Sequence, residues 1–183
     1  APRKNEDIAR LLLGDSYLRL KKYHEAELIG QQAAKSSSPE IQTRATLLRG
    51  ASQLALGQKD RARASTESAL KQASAISSPT LIGLAETLNL ELKTQDCAEL
   101  PGKGRVDEAQ VRTGMDQRGT CLQEAMILFR RALQSEEPVS LDRATGLMTL
   151  AFRSYHQTCT HPPDPPRLKP RDRTATELKR YRA

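Results

Sequence analysis

The sequence predicts an all-α chain of antiparallel helical hairpins stacked as a solenoid, and three observations predict it. Gly14, Ala26 and Ala33 return 36 residues later as Gly50, Ala62 and Ala69. Small residues that recur at a period in the thirties mark helix pairs whose backbones approach closely. The first 75 residues are rich in Ala, Leu, Lys, Gln, Arg and Glu, while aromatics make up only 3% of the chain. Strong helix formers therefore dominate, and strand formers are scarce. Finally, "SSSP" at 36–39 and "SSP" at 77–79 each break one helix and cap the next.

The elements follow in order. A first helix is expected from Asn5 or Asp7 to about Leu20, with Ile8, Leu11, Leu12, Leu18 and Leu20 making a stripe too broad for a lone surface helix. Its partner begins at Tyr23 and ends at the first Ser-Pro stop. The second hairpin pairs a helix over about Ile41–Leu56 with one over about Lys59–Ala75, and Gly57 turns the chain between them. A further helix takes about Thr80–Lys93. The period then breaks. Thr94 to Thr120 has few large apolar residues, several Gly and a Pro, which predicts a long insertion between the helices of the third hairpin. Inside it "VDEA" at 106–109 mimics "YHEA" at 23–26, but that register puts Thr113 and Asp116 on packing positions. A short extra helix over Val106–Arg112 fits the insertion. Ala125, Phe129 and Ala132 supply the second helix of the third hairpin, which opens at Cys121 and is closed by Pro138. A last helix is expected over about Leu141–Gln157, where "RAT" at 143–145 echoes "RAT" at 44–46. His161 to Pro170 holds five prolines and cannot continue a helix. "TATELKRYR" offers a final short helix, whose Leu178 and Tyr181 could cap the last apolar face. The organisation is thus a solenoid over 5–158, with an insertion at 94–120 and a Pro-rich basic tail over 159–183.

Leu13-Gly14, then Tyr17, then Ala26, with the Ala125-x3-Phe129-x2-Ala132 set before Pro138, resembles the tetratricopeptide repeat. Arg10 stands where that repeat carries a Trp. The resemblance covers roughly residues 5 to 158. It implies a right-handed superhelix and use as a scaffold or adaptor, and it does not identify a partner.

Net charge is +7, and +4 of it lies in the last 22 residues, where seven basic side chains face three acidic ones. The repeat body is nearly balanced. A basic tail reads first as a solvated terminus, and as a contact for phosphate or anionic lipid second. Only Tyr181 is near it for base stacking, which ranks nucleic acid last among partners. No apolar run approaches the ~20 residues that cross a bilayer, so membrane contact is expected only through the tail or an anchor lost ahead of Ala1.

Chemistry-bearing patterns are sparse. The three His form no nucleophile arrangement, and "GKG" at 102–104 lacks the remainder of a phosphate-binding fingerprint. His156, Cys159 and His161 cluster in "HQTCTH" without the paired spacing of a zinc site. No catalytic residue, metal or cofactor is expected. The cysteines carry more. Cys97 follows one helix of the third hairpin and Cys121 opens its partner, so the two flank the insertion at its base. Cys97–Cys121 ranks first as a disulfide, a bond from Cys159 to either ranks second, and three reduced thiols remain the alternative. A bond implies an oxidising compartment, periplasmic or extracellular, and free thiols a cytoplasmic one.

Mapped onto this chain, the resemblance implies a concave partner groove. Leu11, Asp15, Leu18 and Arg19 come from the first helix and Arg44, Leu47, Ala51 and Leu54 from the third. Glu91 follows, then Arg143 and Arg153 from the last. Leu11 and Asp15 occupy the positions where chaperone-binding relatives carry Lys and Asn, which argues against a chaperone tail. A groove mixing Leu with both charge signs suits an amphipathic peptide or helix of a protein partner. The expected function is therefore a protein-interaction scaffold, in bacterial cell-envelope assembly on the oxidising reading or as a cytoplasmic regulatory adaptor otherwise. A small-molecule substrate is not expected.

Overall fold

The computed structural model of the protein describes residues 2–99, 108–134 and 138–160. Among them the chain is helical, with no strand. In order the helices are α1 (Pro2–Arg19), α2 (Tyr23–Ala33), α3 (Pro39–Ala55), α4 (Lys59–Ala75), α5 (Pro79–Glu99), α6 (Glu108–Leu133) and α7 (Pro138–Thr160). Every odd-numbered helix opens on a proline. At the first helical position proline loses nothing by lacking an N–H, and its fixed φ is already helical.

The 36-residue period is written into the turns as well as the packing. The chain leaves α1 with Lys21 N–H donating to the Leu18 carbonyl (3.1 Å) and Lys22 N–H to that of Tyr17 (2.9 Å). It leaves α3 with Gly57 N–H donating to Leu54 (2.9 Å) and Gln58 N–H to Gln53 (2.9 Å). Every donor and acceptor is displaced by 36. The left-handed residue of each turn is Lys21 (φ 59°) in the first and Gly57 (φ 74°) in the second.

Two compact units form. Among the described residues, the first contains the chain up to Leu92 together with those of Leu128–Ala144, the second those of Lys93–Ile127 with Thr145–Thr160. In the first unit Ala26, Ala33, Ala62 and Ala69 are all fully buried. Gly14 and Gly50 are seats. A Cβ on Gly14 would collide with Leu48 of the next hairpin and come within 3.1 Å of Ile29 in its own. At Gly50 the corresponding neighbours are Leu88 at 3.0 Å and Ser65 at 3.4 Å. Ile29 and Ser65 keep the 36-residue step. Leu48 to Leu88 overshoots it by four, one helical turn, so the period drifts between the second and third hairpins.

One core cluster joins Leu11, Ala26 and Ala33 to Ile41, Ala45 and Leu48. A second runs from Leu47 and Leu54 through Ala62, Ala69 and Ala73 to Leu81, Ala85, Leu88 and Leu92. Polar groups are buried between α2, α3 and α4 with partners. Gln53 donates to Glu27 (2.9 Å), Arg61 pairs with the same carboxylate (3.0 Å), and Ser65 donates to Gln53 (2.8 Å).

The second unit corrects the expected insertion. α5 continues to Glu99 and α6 begins at Glu108, so most of 94–120 is helix and only 100–107 lies outside the described residues. The suggested short helix from Val106 is, from Glu108 on, the start of α6 itself. The same segment holds the cross-link. Cys97 and Cys121 are disulfide-bonded with their Cα atoms 5.6 Å apart, and Cys159 is unpaired and half-buried. The bond does not close a loop at its stems. It joins a residue two short of the end of α5 to one thirteen residues into α6. Lys93 pairs with Glu124 and Arg118 donates to Thr158 (2.7 Å). These contacts hold a polar stretch helical where its own apolar pattern does not. The tail from His161, where an extended segment, a short helix and capping residues are expected, lies outside the described residues.

Candidate functional site

Spacing on the odd helices builds the site. Leu11, Asp15 and Leu18 recur every three or four residues on α1, as do Arg44, Leu47, Leu48 and Ala51 on α3. α5 adds Leu84, Thr87 and Leu88, and α7 adds Ser140 and Arg143. Positions three and four apart share a helix face, so each helix turns one stripe to a common groove within the first unit. The cavity they enclose is about 220 Å³. Among the described residues the even helices contribute none to this lining.

The floor is leucine and the rim is charged. Leu47, Leu48 and Leu88 are buried beneath it, while Arg44 and Arg143 are exposed at its edge. Asp15 also reaches solvent, yet the groove walls withdraw enough water to raise its carboxyl above the ordinary aspartate value, against the pull of Arg44 and Arg19. Arg143 donates to Glu91 at 2.5 Å. The Thr87 hydroxyl donates to the Gly83 carbonyl (2.8 Å), so that wall presents its methyl group. Among the described residues the lining contains no histidine or cysteine. Its chemistry is apolar contact framed by one carboxylate and two guanidinium groups.

Of the positions named from sequence, Leu11, Asp15, Leu18, Arg44, Leu47, Ala51 and Arg143 are brought together around this cavity. Four are not among its lining. Leu54 is 5% exposed, its surface taken up by the core around Ala62 and Leu88. Arg19 is exposed beyond the end of the stripe and acts on the groove through its charge at Asp15. Glu91 holds Arg143 from behind the rim. Arg153 is exposed in the second unit, and α7 serves the groove only from Ser140 and Arg143. Leu48, Leu84, Leu88 and Ser140 were missed. The four-residue drift at Leu88 shifts the α5 stripe away from where a strict period puts it. Of the "HQTCTH" cluster, His156 and Cys159 lie on α7 and His161 is outside the described residues. No group of metal-ligating side chains forms among the described residues.

No family model, curated protein or solved structure matches the chain.

Proposed function

We propose that the chain is a protein-interaction module that binds an amphipathic segment of a partner protein in the α1–α3–α5–α7 groove. The observation that carries this reading is the lining itself: leucines from α1, α3 and α5 share one concavity, α7 adds Ser140 and Arg143, and only the rim is charged. A helix or extended peptide with apolar residues on one side and polar residues on the other complements that arrangement. Because Asp15 faces arginines and Arg143 faces Glu91, the rim selects for orientation and register more than for net charge. We further propose a tetratricopeptide-like right-handed stacking of the hairpins, supported by the 36-residue recurrence in both turns and seats. The disulfide supports work in an oxidising compartment, the cell envelope or outside the cell, over a cytoplasmic adaptor.

Peptide-display selection against the intact chain tests the groove. Selected amphipathic peptides should lose about tenfold or more in affinity when Asp15 and Arg44 are both replaced by Ala, while circular dichroism stays unchanged. Peptides that bind the double variant as tightly as wild type would place recognition elsewhere.

A further inference from the structure

The internal repeat shows what the outer face of α1 is built to receive. Across the α1–α2/α3 boundary, Leu48 and Arg49 of α3 project into two hollows. Leu48 fills the space over Gly14 of α1, and the Arg49 stem lies where a Cβ on Gly30 of α2 would come within 2.6 Å of its Cγ. Ala45 is fully buried at this contact, and its carbonyl is 3.1 Å from the same Gly30 position. Stepping back 36 residues converts these three into Ala9, Leu12 and Leu13 of α1. The equivalence is structural as well as sequential. Ser52 donates its hydroxyl to the Leu48 carbonyl at 2.8 Å, and Ser16 donates to that of Leu12 at 2.8 Å. The surroundings differ. Leu48 is 4% exposed, whereas Leu12 is 63% and Leu13 44%, with Leu20, just past the end of the helix, at 66%.

We propose that Leu12 and Leu13, flanked by Ala9, Ser16 and Leu20, form an open stacking face that receives a helical hairpin of a partner protein. The partner hairpin must offer what the first hairpin offers to α3: two helices, each with a glycine-sized hollow at the contact. This surface is separate from the groove and does not depend on it. A second copy of the chain fits poorly. Its own Gly14 and Gly30 hollows are already filled by Leu48 and Arg49, and two stripes of projecting leucines give each other no hollow to enter. Exposed contiguous leucines mark an interaction site.

The chain's own first hairpin is the probe. Residues 1–36 are added as a second copy directly ahead of Ala1 of the otherwise intact chain, which places the added Gly14 and Gly30 in register with Leu12 and Leu13. Amide exchange in α1 should slow by about tenfold or more once the added hairpin docks. Leu12→Asp should leave the melting temperature of the original chain nearly unchanged, because that side chain is solvated, yet abolish the added protection in the extended chain. Gly14→Leu with Gly30→Leu in the added copy alone should abolish it equally. Unchanged α1 exchange on adding the hairpin would overturn the proposal. So would protection that survives both sets of substitutions. Sedimentation showing a Leu12-dependent homodimer of the original chain would overturn it too, by making a second copy the occupant.

Discussion

Lys21 and Gly57 occupy equivalent turns with the same left-handed backbone. A side chain with a Cβ pays about 1–2 kcal/mol for that conformation, which glycine adopts freely. Lys21→Gly should therefore stabilise the fold by about 0.5–1 kcal/mol, after the added freedom of the unfolded chain is subtracted. Gly57→Ala should destabilise by about 1 kcal/mol. No atom stands within 4 Å of a Cβ built on Gly57, so the loss would be purely conformational. Urea titration of both variants is the check, and effects of equal sign would show that the two turns are not equivalent. Glu86 lies on α5, one helical turn short of the position equivalent to Gly50 once the four-residue drift is counted. It is 5% exposed and one of its carboxylate oxygens is buried without a hydrogen bond. Burial raises its carboxyl above the ordinary value, only partly offset by Arg131 and by a hydrogen bond with Asn89. A raised folded-state value means that the stability linked to this proton is complete below the ordinary glutamate value and is lost as pH rises through the folded one. Glu86→Gln should thus match wild type near about pH 3 and gain stability on it towards about pH 7. A difference that shrinks with rising pH would contradict this sign.

At the scale of the helix, the alanines set the spacing. Ala26 and Ala62 are fully buried on α2 and α4, and overpacking a close helix contact costs about 1–3 kcal/mol. Ala26→Leu and Ala62→Leu should each lower the denaturation midpoint accordingly, and an unchanged midpoint in both would mean the register is misread. These elements were legible because small residues, Ser-Pro stops and apolar stripes agree with one another. α4 begins and ends where its pattern says, and α2 starts at Tyr23 as read. Legibility failed where local pattern and tertiary contact diverge. "TQDCAE" and "RTGMDQRGT" carry too few apolar residues to announce helices, and what keeps them helical is mutual: a cross-link, the Lys93–Glu124 pair and the Arg118–Thr158 bond. The groove followed the same division. Its α1 and α3 stripes lie inside the strict period. Leu54, Arg153 and the overlooked Leu88 lie where burial or the one-turn drift alters which face a residue serves.

For the molecule as a whole, the Cys97–Cys121 bond is the only covalent tie described apart from the backbone. Cross-linking a loop of this size removes unfolded-state entropy equivalent to about 3 kcal/mol. The Cys97→Ser/Cys121→Ser double variant should lose about that much, and an unchanged unfolding free energy would mean the bond adds nothing to the fold. No described helix is long and apolar enough to cross a membrane. The position of the bond also decides what happens if the backbone is cut. Lys103 and Arg105 fall between the two cysteines. Trypsin acting after either would yield two polypeptides that still migrate as one species, and only a reducing agent would release them. A single internal nick would therefore leave the protein's mass intact, and its cohesion would then rest on the redox state of its surroundings.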